Sequence, residues 1–387
     1  ANCIELISNE EMIEDEILSL LFKDEMSIVI RSSNSSIVNS FEEKIPQGYK
    51  NGLIGIDLNV SSALSSSKSR FAEFMQQIDQ ISKKENIVPV IEADSFAALG
   101  ANAEDQGIII LGMLDAFLND PKSVEFKSLI IRISSEQNFF LNIAKIRALR
   151  FLANSILNLF ERELNIIFEF QTGDWNKSIY DANTNILRNT TEAFAAVCGA
   201  CDILNVNGYE SQIAKESEFS VRNALNISNL LKYESHLDKV SDIASGSYFL
   251  ENLTDKFADI VWQEFKEMIE TGSLDDYINE SLLSGFQNNA DENRDLFGKK
   301  KIKMIGTNVY PNTSDHFSVE EIVRLNQNRL ASRFETMRLK IEKLKKSNGE
   351  DKRPVVSLLK LGDSEMRFLR SGFSLNFLAC LGLNFID

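Results

Sequence analysis

Short β-branched runs alternate with longer segments of helical period from residue 3 to about residue 310, and this alternation constrains the fold more than any other feature. It predicts strands at 3–7 (CIELI), 27–31 (SIVIR), 53–58 (LIGIDL), 87–93 (IVPVIEA), 129–133 (LIIRI), 165–171 (NIIFEFQ), 202–207 (DILNVN) and 301–308 (KIKMIGTN). Between them the strongest helix spans 137–162, where Phe139, Ile143, Ile146, Leu149, Ala153, Ile156 and Phe160 fall on one stripe. Eight β-α units in a row, joined by right-handed crossovers, point to a (β/α)8 barrel over residues 1–312. Strand count alone does not exclude a doubly wound sheet.

Charge narrows the partners. Lys and Arg number 41 against 57 Asp and Glu, a net charge of −16 that opposes nucleic acid and anionic membrane. The densest basic run, GKKKIK at 298–303, reads as solvated. The acidic start carries no signal peptide and no apolar run approaches a membrane span of roughly 18 residues, so the expectation is a soluble, cytoplasmic protein. Four Cys in a chain of 387 residues make no disulfide framework.

Cys198 and Cys201 form a Cys-x-x-Cys, which raises the possibilities of a redox pair or half a zinc site. The predicted helix 183–198 ends at this motif and a strand follows, placing Gly199 near a helix C-terminus. A redox pair needs a helix N-terminus instead, and Cys3, Cys380, His236 and His316 offer no second paired spacing, so both thiols read as packing residues at a turn. His236 closes a helix, and Arg188 and Arg222 read as structural ion-pair members beside Glu192 and Glu218. Beyond the barrel, Ser318 with Glu321 makes a capping box and Phe317 with Ile322 a staple. They open a linker helix within 313–350, striped by Leu330, Phe334, Met337, Ile341 and Leu344. Residues 351–387 then read as an incomplete β-α-β that cannot cover both faces of its strands.

Period-two geometry sorts the strand side chains. Val88, Val90, Glu92 and Asp94 share one face, and Glu169 and Gln171 share another opposite Phe168 and Phe170. With the phenylalanines against helices, Glu92, Asp94, Glu169 and Gln171 line the barrel interior. Three carboxylates there would narrow a channel and oppose anionic ligands; the alternative is an acid/base set at the C-terminal mouth, where barrel enzymes place their sites.

The stretches NFFLNIAKIRALR (138–150), QTGDW (171–175), NILRNTTEAFAAVCGA (185–200), RNALNISNLLKYES (222–235), DIASGSYFLENLTDKFADIVWQEF (242–265) and IGTNVYPN (305–312) together resemble the methylmalonyl-CoA mutase family of adenosylcobalamin-dependent acyl-CoA isomerases. The resemblance implies a (β/α)8 barrel whose bore takes the CoA pantetheine, followed by a cobalamin domain. It also implies a Tyr-His catalytic pair where this chain has Asp94 and Ser95, and a cobalt-ligating His in a turn that here reads DSEMRFLRSG. No His lies between 317 and 387, and Asp363, Glu365 and Met366 are poor replacements. Gln171 and Thr172 match the family's substrate-strand pair, with Gln171 a remnant hydrogen-bonding residue.

The family includes heterodimers of a catalytic large chain and a homologous small chain lacking both features. The expectation is such a non-catalytic small (beta) subunit, without bound cofactor or metal. It would support interconversion of (R)-methylmalonyl-CoA and succinyl-CoA by a large subunit that carries adenosylcobalamin. The alternatives are an independent barrel enzyme using Glu92, Asp94 and Glu169 on an acyl-CoA or organic acid, and a scaffold for another mutase-related protein.

Overall fold

The computed structural model describes residues 3–7, 27–32, 52–57, 87–213, 217–312, 328–346 and 354–386. Seven parallel strands make one sheet: β1 (Cys3–Ile7), β2 (Ser27–Ser32), β3 (Gly52–Asp57), β4 (Ile87–Glu92), β5 (Ser128–Ser134), β6 (Asn165–Gln171) and β7 (Ile203–Asn205). Each pairs with the next in the chain, in the order β1-β2-β3-β4-β5-β6-β7. A doubly wound sheet reverses its strand order at a switch point; this sheet never reverses. What remains is a parallel α/β sheet that advances in one direction, with β1 and β7 at its edges among the described residues.

Helices cover the outer face. α1 (Asp94–Leu99) and α2 (Ala103–Asn119) follow β4, α3 (Phe139–Leu159) follows β5, and α4 (Thr184–Cys198) follows β6. α5 (Glu218–Asn229), α6 (Tyr248–Thr271), α7 (Leu274–Tyr277) and α8 (Glu280–Gly298) come after β7. The starts are encoded locally. Asn102 and Asp105 form a reciprocal capping box on α2, and the Asn138 carboxamide accepts from the N–H groups of Phe140 and Leu141 at the head of α3. Ile146, Leu149, Ala153 and Ile156 of α3 then meet Ile131, Ile133, Phe168 and Phe170 from the sheet, with Phe257, Val261 and Phe265 of α6 closing the same core. α2 contributes Ile108, Ile109 and Leu111, buried to the point of no exposure.

The eighth strand expected at 301–308 does not form. That segment is a tight loop whose one ladder contact is a bridge between Ile305 and Val309. The buried Asn308 side chain explains it: its carboxamide accepts from Met304 N–H at 2.8 Å and donates to the carbonyls of Phe297 at 2.9 Å and Ile302 at 2.8 Å, occupying backbone groups that a ladder would use. Gly306 sits at φ +81° against the Asp181 carboxylate, where any Cβ would collide.

The linker helix also departs from expectation. Its cap at Ser318 and Glu321, the staple of Phe317 and Ile322, and His316 lie outside the described residues. Residues 328–331 form a turn, and the helix α9 runs only over Ser332–Lys346. Of the predicted apolar stripe, Leu330 is buried and Phe334 packs edge-on against Phe297, while Met337 is exposed and Glu335, Arg338 and Glu342 are buried beside them. Arg329 pairs with Glu335 and Arg338 with Glu342, and the Arg338 guanidinium lies 3.8 Å from the Tyr180 ring centroid. Hydrophobic periodicity cannot report a face buried by ion pairs. Finally, β8 (Val355–Ser357), α10 (Ser364–Ala379) and β9 (Asn384–Ile386) form a β-α-β with parallel strands. It touches the larger sheet unit where Lys300 approaches the Phe377 ring and the Cys380 thiol donates to the Asn308 carbonyl.

Candidate functional site

Register sets the inner face. Glu92 of β4 pairs with Arg132 of β5, and Arg132 pairs with Glu169 of β6, so three charged residues stand side by side across three strands. Arg132 reaches Glu92 at 3.4 Å and Glu169 at 3.7 Å, and all three are buried. One step toward the strand N-termini, Val88, Val90, Ile130 and Ile167 make a small apolar layer on the same face. Ile131, Ile133, Phe168 and Phe170 point the other way into the main core. The expectation that Glu92, Asp94 and Glu169 together line the interior as three carboxylates opposing anionic ligands is therefore corrected. Arg132 bridges two of them, and β4 ends at Glu92, so Asp94 is not governed by strand alternation. Arg132 was available in the sequence, because LIIRIS alternates and only the inner face was free to take a charge.

Asp94 instead opens α1 at the C-terminal ends of the strands, with Ser95 following it in that first turn. There it lines a cavity of about 110 Å³ with Ser134, Gln171, Asp174, Asn207 and Arg329. The Asp94 Oδ1 is buried with no hydrogen-bond partner among the described residues. Burial pushes the Asp174 carboxyl above the usual carboxylate range, against the pull of Lys177, with Asp94 adding to the rise. Gln171 donates to Asn207 Oδ1 at 3.3 Å, and Asn207 is fixed to Thr172 by its own N–H at 2.9 Å and its carboxamide at 2.8 Å. A ligand pocket for a drug-sized molecule occupies about 300–1,000 Å³, so this cavity has room for a few waters or a very small ion. Arg329 closes it from the linker side, donating to the Lys177 carbonyl at 2.9 Å.

Behind the cavity the loop after β6 is held by one carboxylate. Glu192 of α4 accepts from Ser135 Oγ at 2.7 Å, from Asn176 at 2.7 Å, from Gly173 N–H at 3.2 Å and from the Lys177 ammonium. Ser135 Oγ also accepts from Gly173 N–H at 2.7 Å. Burial lowers the Lys177 pKa, with Glu192 opposing the drop. The Ser135 hydroxyl is thus engaged on both sides, donating to Glu192 and accepting from Gly173. The three carboxylates considered as an acid/base set are separated: Glu92 and Glu169 share Arg132 on the strands, while Asp94 faces the cavity.

The other singled-out groups sit apart from this mouth. Cys198 ends α4, and the left-handed residue of the turn is Ala200 (φ +62°), not Gly199. Gly199 is needed for another reason: a Cβ there would lie 3.0 Å from Ile146 Cδ1 and 3.3 Å from the Ile143 carbonyl. Burial and neighbouring Asp202 push the Cys201 thiol up to about 12. Arg188 donates to Ser178 Oγ at 3.1 Å, Asn185 Oδ1 at 2.6 Å and the Ile305 carbonyl at 2.6 Å, where an ion pair with Glu192 was expected. Arg222 is exposed on α5 and His236 is exposed with φ +54°. Among the described residues no three His, Cys, Asp or Glu converge as a metal site, and no helix is long and apolar enough to cross a membrane.

Comparison with known proteins adds independent information. A family model described as Methylmalonyl-CoA mutase matches residues 125–366. The chain is 34% identical over 278 residues to the methylmalonyl-CoA mutase small subunit of Porphyromonas gingivalis, covering 65% of this chain and 43% of that one. It is 26% identical over 360 residues to the probable small subunit of Mycobacterium bovis, covering 86% of this chain and 57% of that relative. Against the large subunit of Propionibacterium freudenreichii subsp. shermanii the identity is 32% over 141 residues, 35% of this chain and 19% of that one. The chain thus spans about half the length of the small subunits it matches.

Proposed function

The chain belongs to the methylmalonyl-CoA mutase family, and from that premise we propose that it serves as the non-catalytic small subunit of a heterodimeric mutase. In this reading a homologous large subunit binds adenosylcobalamin and interconverts (R)-methylmalonyl-CoA and succinyl-CoA in the cytoplasm. The seven sequential strands are taken as the described part of a (β/α)8 barrel, and β8-α10-β9 as the start of a degenerate cobalamin-type domain. The observation that carries the reading is the Glu92–Arg132–Glu169 ladder, a buried charge triad on the face of β4, β5 and β6 that, in a closed barrel, an acyl-CoA arm would have to pass. A CoA arm is apolar and amide-rich and ends in phosphates; a buried, already paired charge triad offers it no free cation.

The mouth supports the same reading. Asp94 and Ser95 stand where the resemblance places the Tyr-His pair, and the Gln171 amide is turned to Asn207. The turn before α10 does not fit a cobalt ligand. Asp363 accepts from Met366 N–H at 3.0 Å as the helix cap, and Glu365 and Met366 are exposed on the first turn. The test is reconstitution. The chain is co-expressed with the large subunit encoded by its own genome, and turnover is measured for each chain alone and for the complex. Activity confined to preparations containing the large subunit is expected, and hydroxocobalamin titrated into the isolated chain should leave its spectrum unshifted. Turnover by this chain alone would overturn the reading.

A further inference from the structure

The carboxyl ends of parallel strands are where α/β sheets take their ligands, and in this chain a piece of the linker stands there. The cavity of about 110 Å³ at the ends of β5 and β6 has two walls. Asp94, Ala98, Ser134, Gln171, Asp174 and Asn207 belong to the sheet side, while Asn328 and Arg329 come from the turn 328–331. Backbone and side chains both anchor that turn. Leu330 donates its N–H to the Trp175 carbonyl at 3.0 Å, and Leu330 and Ala331 are buried with Phe297 and Met304 against the Trp175 side chain. The Arg329 carbonyl accepts from Ser332 Oγ at 2.8 Å and from Arg294 Nε at 3.5 Å. The Arg329 side chain is fully buried. Its guanidinium donates to the Lys177 carbonyl at 2.9 Å and to the two oxygens of Glu335 at 3.0 and 2.5 Å.

Charge fits the turn to its place. The charged residues of the cavity wall are Asp94, Asp174 and Arg329, so the linker sets one cation opposite two acids. Burial raises the Asp174 carboxyl, and Lys177 and, after it, Arg329 pull it back. Glu335 also accepts from the Ile179 N–H at 2.8 Å, so one carboxylate of α9 holds both the turn and the loop that carries Asp174, Trp175 and Lys177. We propose that the turn 328–331 is an internal plug, which occupies the strand-end mouth in place of a ligand and excludes solutes for as long as Glu335 of α9 holds Arg329. The mouth is closed by the chain's own linker, and it opens only when the ion pair with α9 lets go. The plug acts within this chain, so it stands or falls apart from the subunit role proposed above.

The experiment places a thiol behind the plug. Ser134 is buried at the end of β5 and lines the cavity, and Ser134→Cys in the full chain gives a near-isosteric reporter. It is labelled with methyl methanethiosulfonate and located by peptide mass spectrometry, which separates it from the four native cysteines. Beneath the native turn the introduced thiol is expected to react about tenfold or more slowly than in the denatured chain. Arg329→Ala removes the side chain of the plug, and Glu335→Gln leaves it in place without its counter-charge. Each is expected to raise the rate by about tenfold or more, through local opening of the mouth. Gly199→Ala, a crowding change between α3 and α4 away from the mouth, controls for general loosening and should leave the rate within about twofold. Should Arg329→Ala fail to fold, the native-turn rate and Glu335→Gln decide. Labelling beneath the native turn at the denatured-chain rate overturns the plug. So does an unchanged rate in Glu335→Gln, or an equal acceleration by Gly199→Ala.

Discussion

Arg132→Met is the sharpest perturbation of the inner face. At an effective dielectric of about 20, unit charges 3.4 and 3.7 Å apart attract by about 4–5 kcal/mol each. Removing the guanidinium forfeits both attractions, and it leaves two buried carboxylates two strands apart, about 9–10 Å, repelling by about 2 kcal/mol. Relief from desolvating the arginine offsets much of this, so the expected net loss is about 3–5 kcal/mol, as for other buried pairs that lose one partner. Glu169→Gln acts differently. It leaves Glu92 and Arg132 as a neutral pair with an amide beside them, and should cost only about 1–2 kcal/mol. Denaturant unfolding followed by tryptophan fluorescence and circular dichroism at pH 7 measures both, provided the slopes match. The triple change Glu92→Gln, Arg132→Met, Glu169→Gln should recover most of the Arg132→Met loss. If Arg132→Met unfolds at the same or higher denaturant than Glu169→Gln, Arg132 does not bridge the acids and the triad argument fails.

Asp94→Asn should leave turnover of the assembled mutase within about twofold, measured beside the subunit ratio; loss of turnover in an intact complex would make Asp94 catalytic. Gly199→Ala should cost about 1–3 kcal/mol in thermal or denaturant unfolding, because its methyl group must displace Ile146 or separate α3 from α4. With its thiol near 12, Cys201 is about one part in ten thousand thiolate at pH 8, so iodoacetamide should label it far more slowly than a free thiol; labelling at the free-thiol rate refutes this. Asp174 is protonated more readily folded than unfolded, so its charge destabilises the fold increasingly as pH rises from about 4 toward neutrality. Asp174→Asn should therefore stabilise the chain at pH 7 and do so less at pH 4, and the opposite trend in unfolding midpoints would reverse the sign.

The strands were legible because buried parallel strands read as β-branched runs, and IVPVIE, SLIIRIS and NIIFEFQ could hardly be anything else. The segment at 301–308 carries the same apolar signal but forms a loop, since Asn308 takes the backbone groups of residues several positions away and only the folded chain shows that. At the site, alternation placed Glu92 and Glu169 correctly and should have placed Arg132, which lay inside a run read for its isoleucines. Asp174, Asn207 and Lys177 could not be read: they come from loops whose convergence is set by the sheet, Asn207 being held by Thr172 and Lys177 by Glu192 of a distant helix.

The buried charges of the linker bear on how the two parts of the chain are held. An apolar helix face can slide on a core at small cost, whereas Arg329 with Glu335, and Arg338 with Glu342, are satisfied in one placement only. Glu335 also accepts from the Ile179 N–H at 2.8 Å, and Arg338 donates to the Asn312 carbonyl at 2.7 Å. Such pairs contribute little net stability, because desolvation offsets their attraction. Their effect is positional: α9 is registered against residues 177–180, the segment that follows the cavity wall at Asp174 and Trp175. Through Arg329, which lines that cavity, the same contacts join the mouth to the helix leading toward β8-α10-β9. The buried ion pairs, together with the apolar contacts of Leu330, Phe334 and Leu339, hold the linker in one relation to the sheet unit.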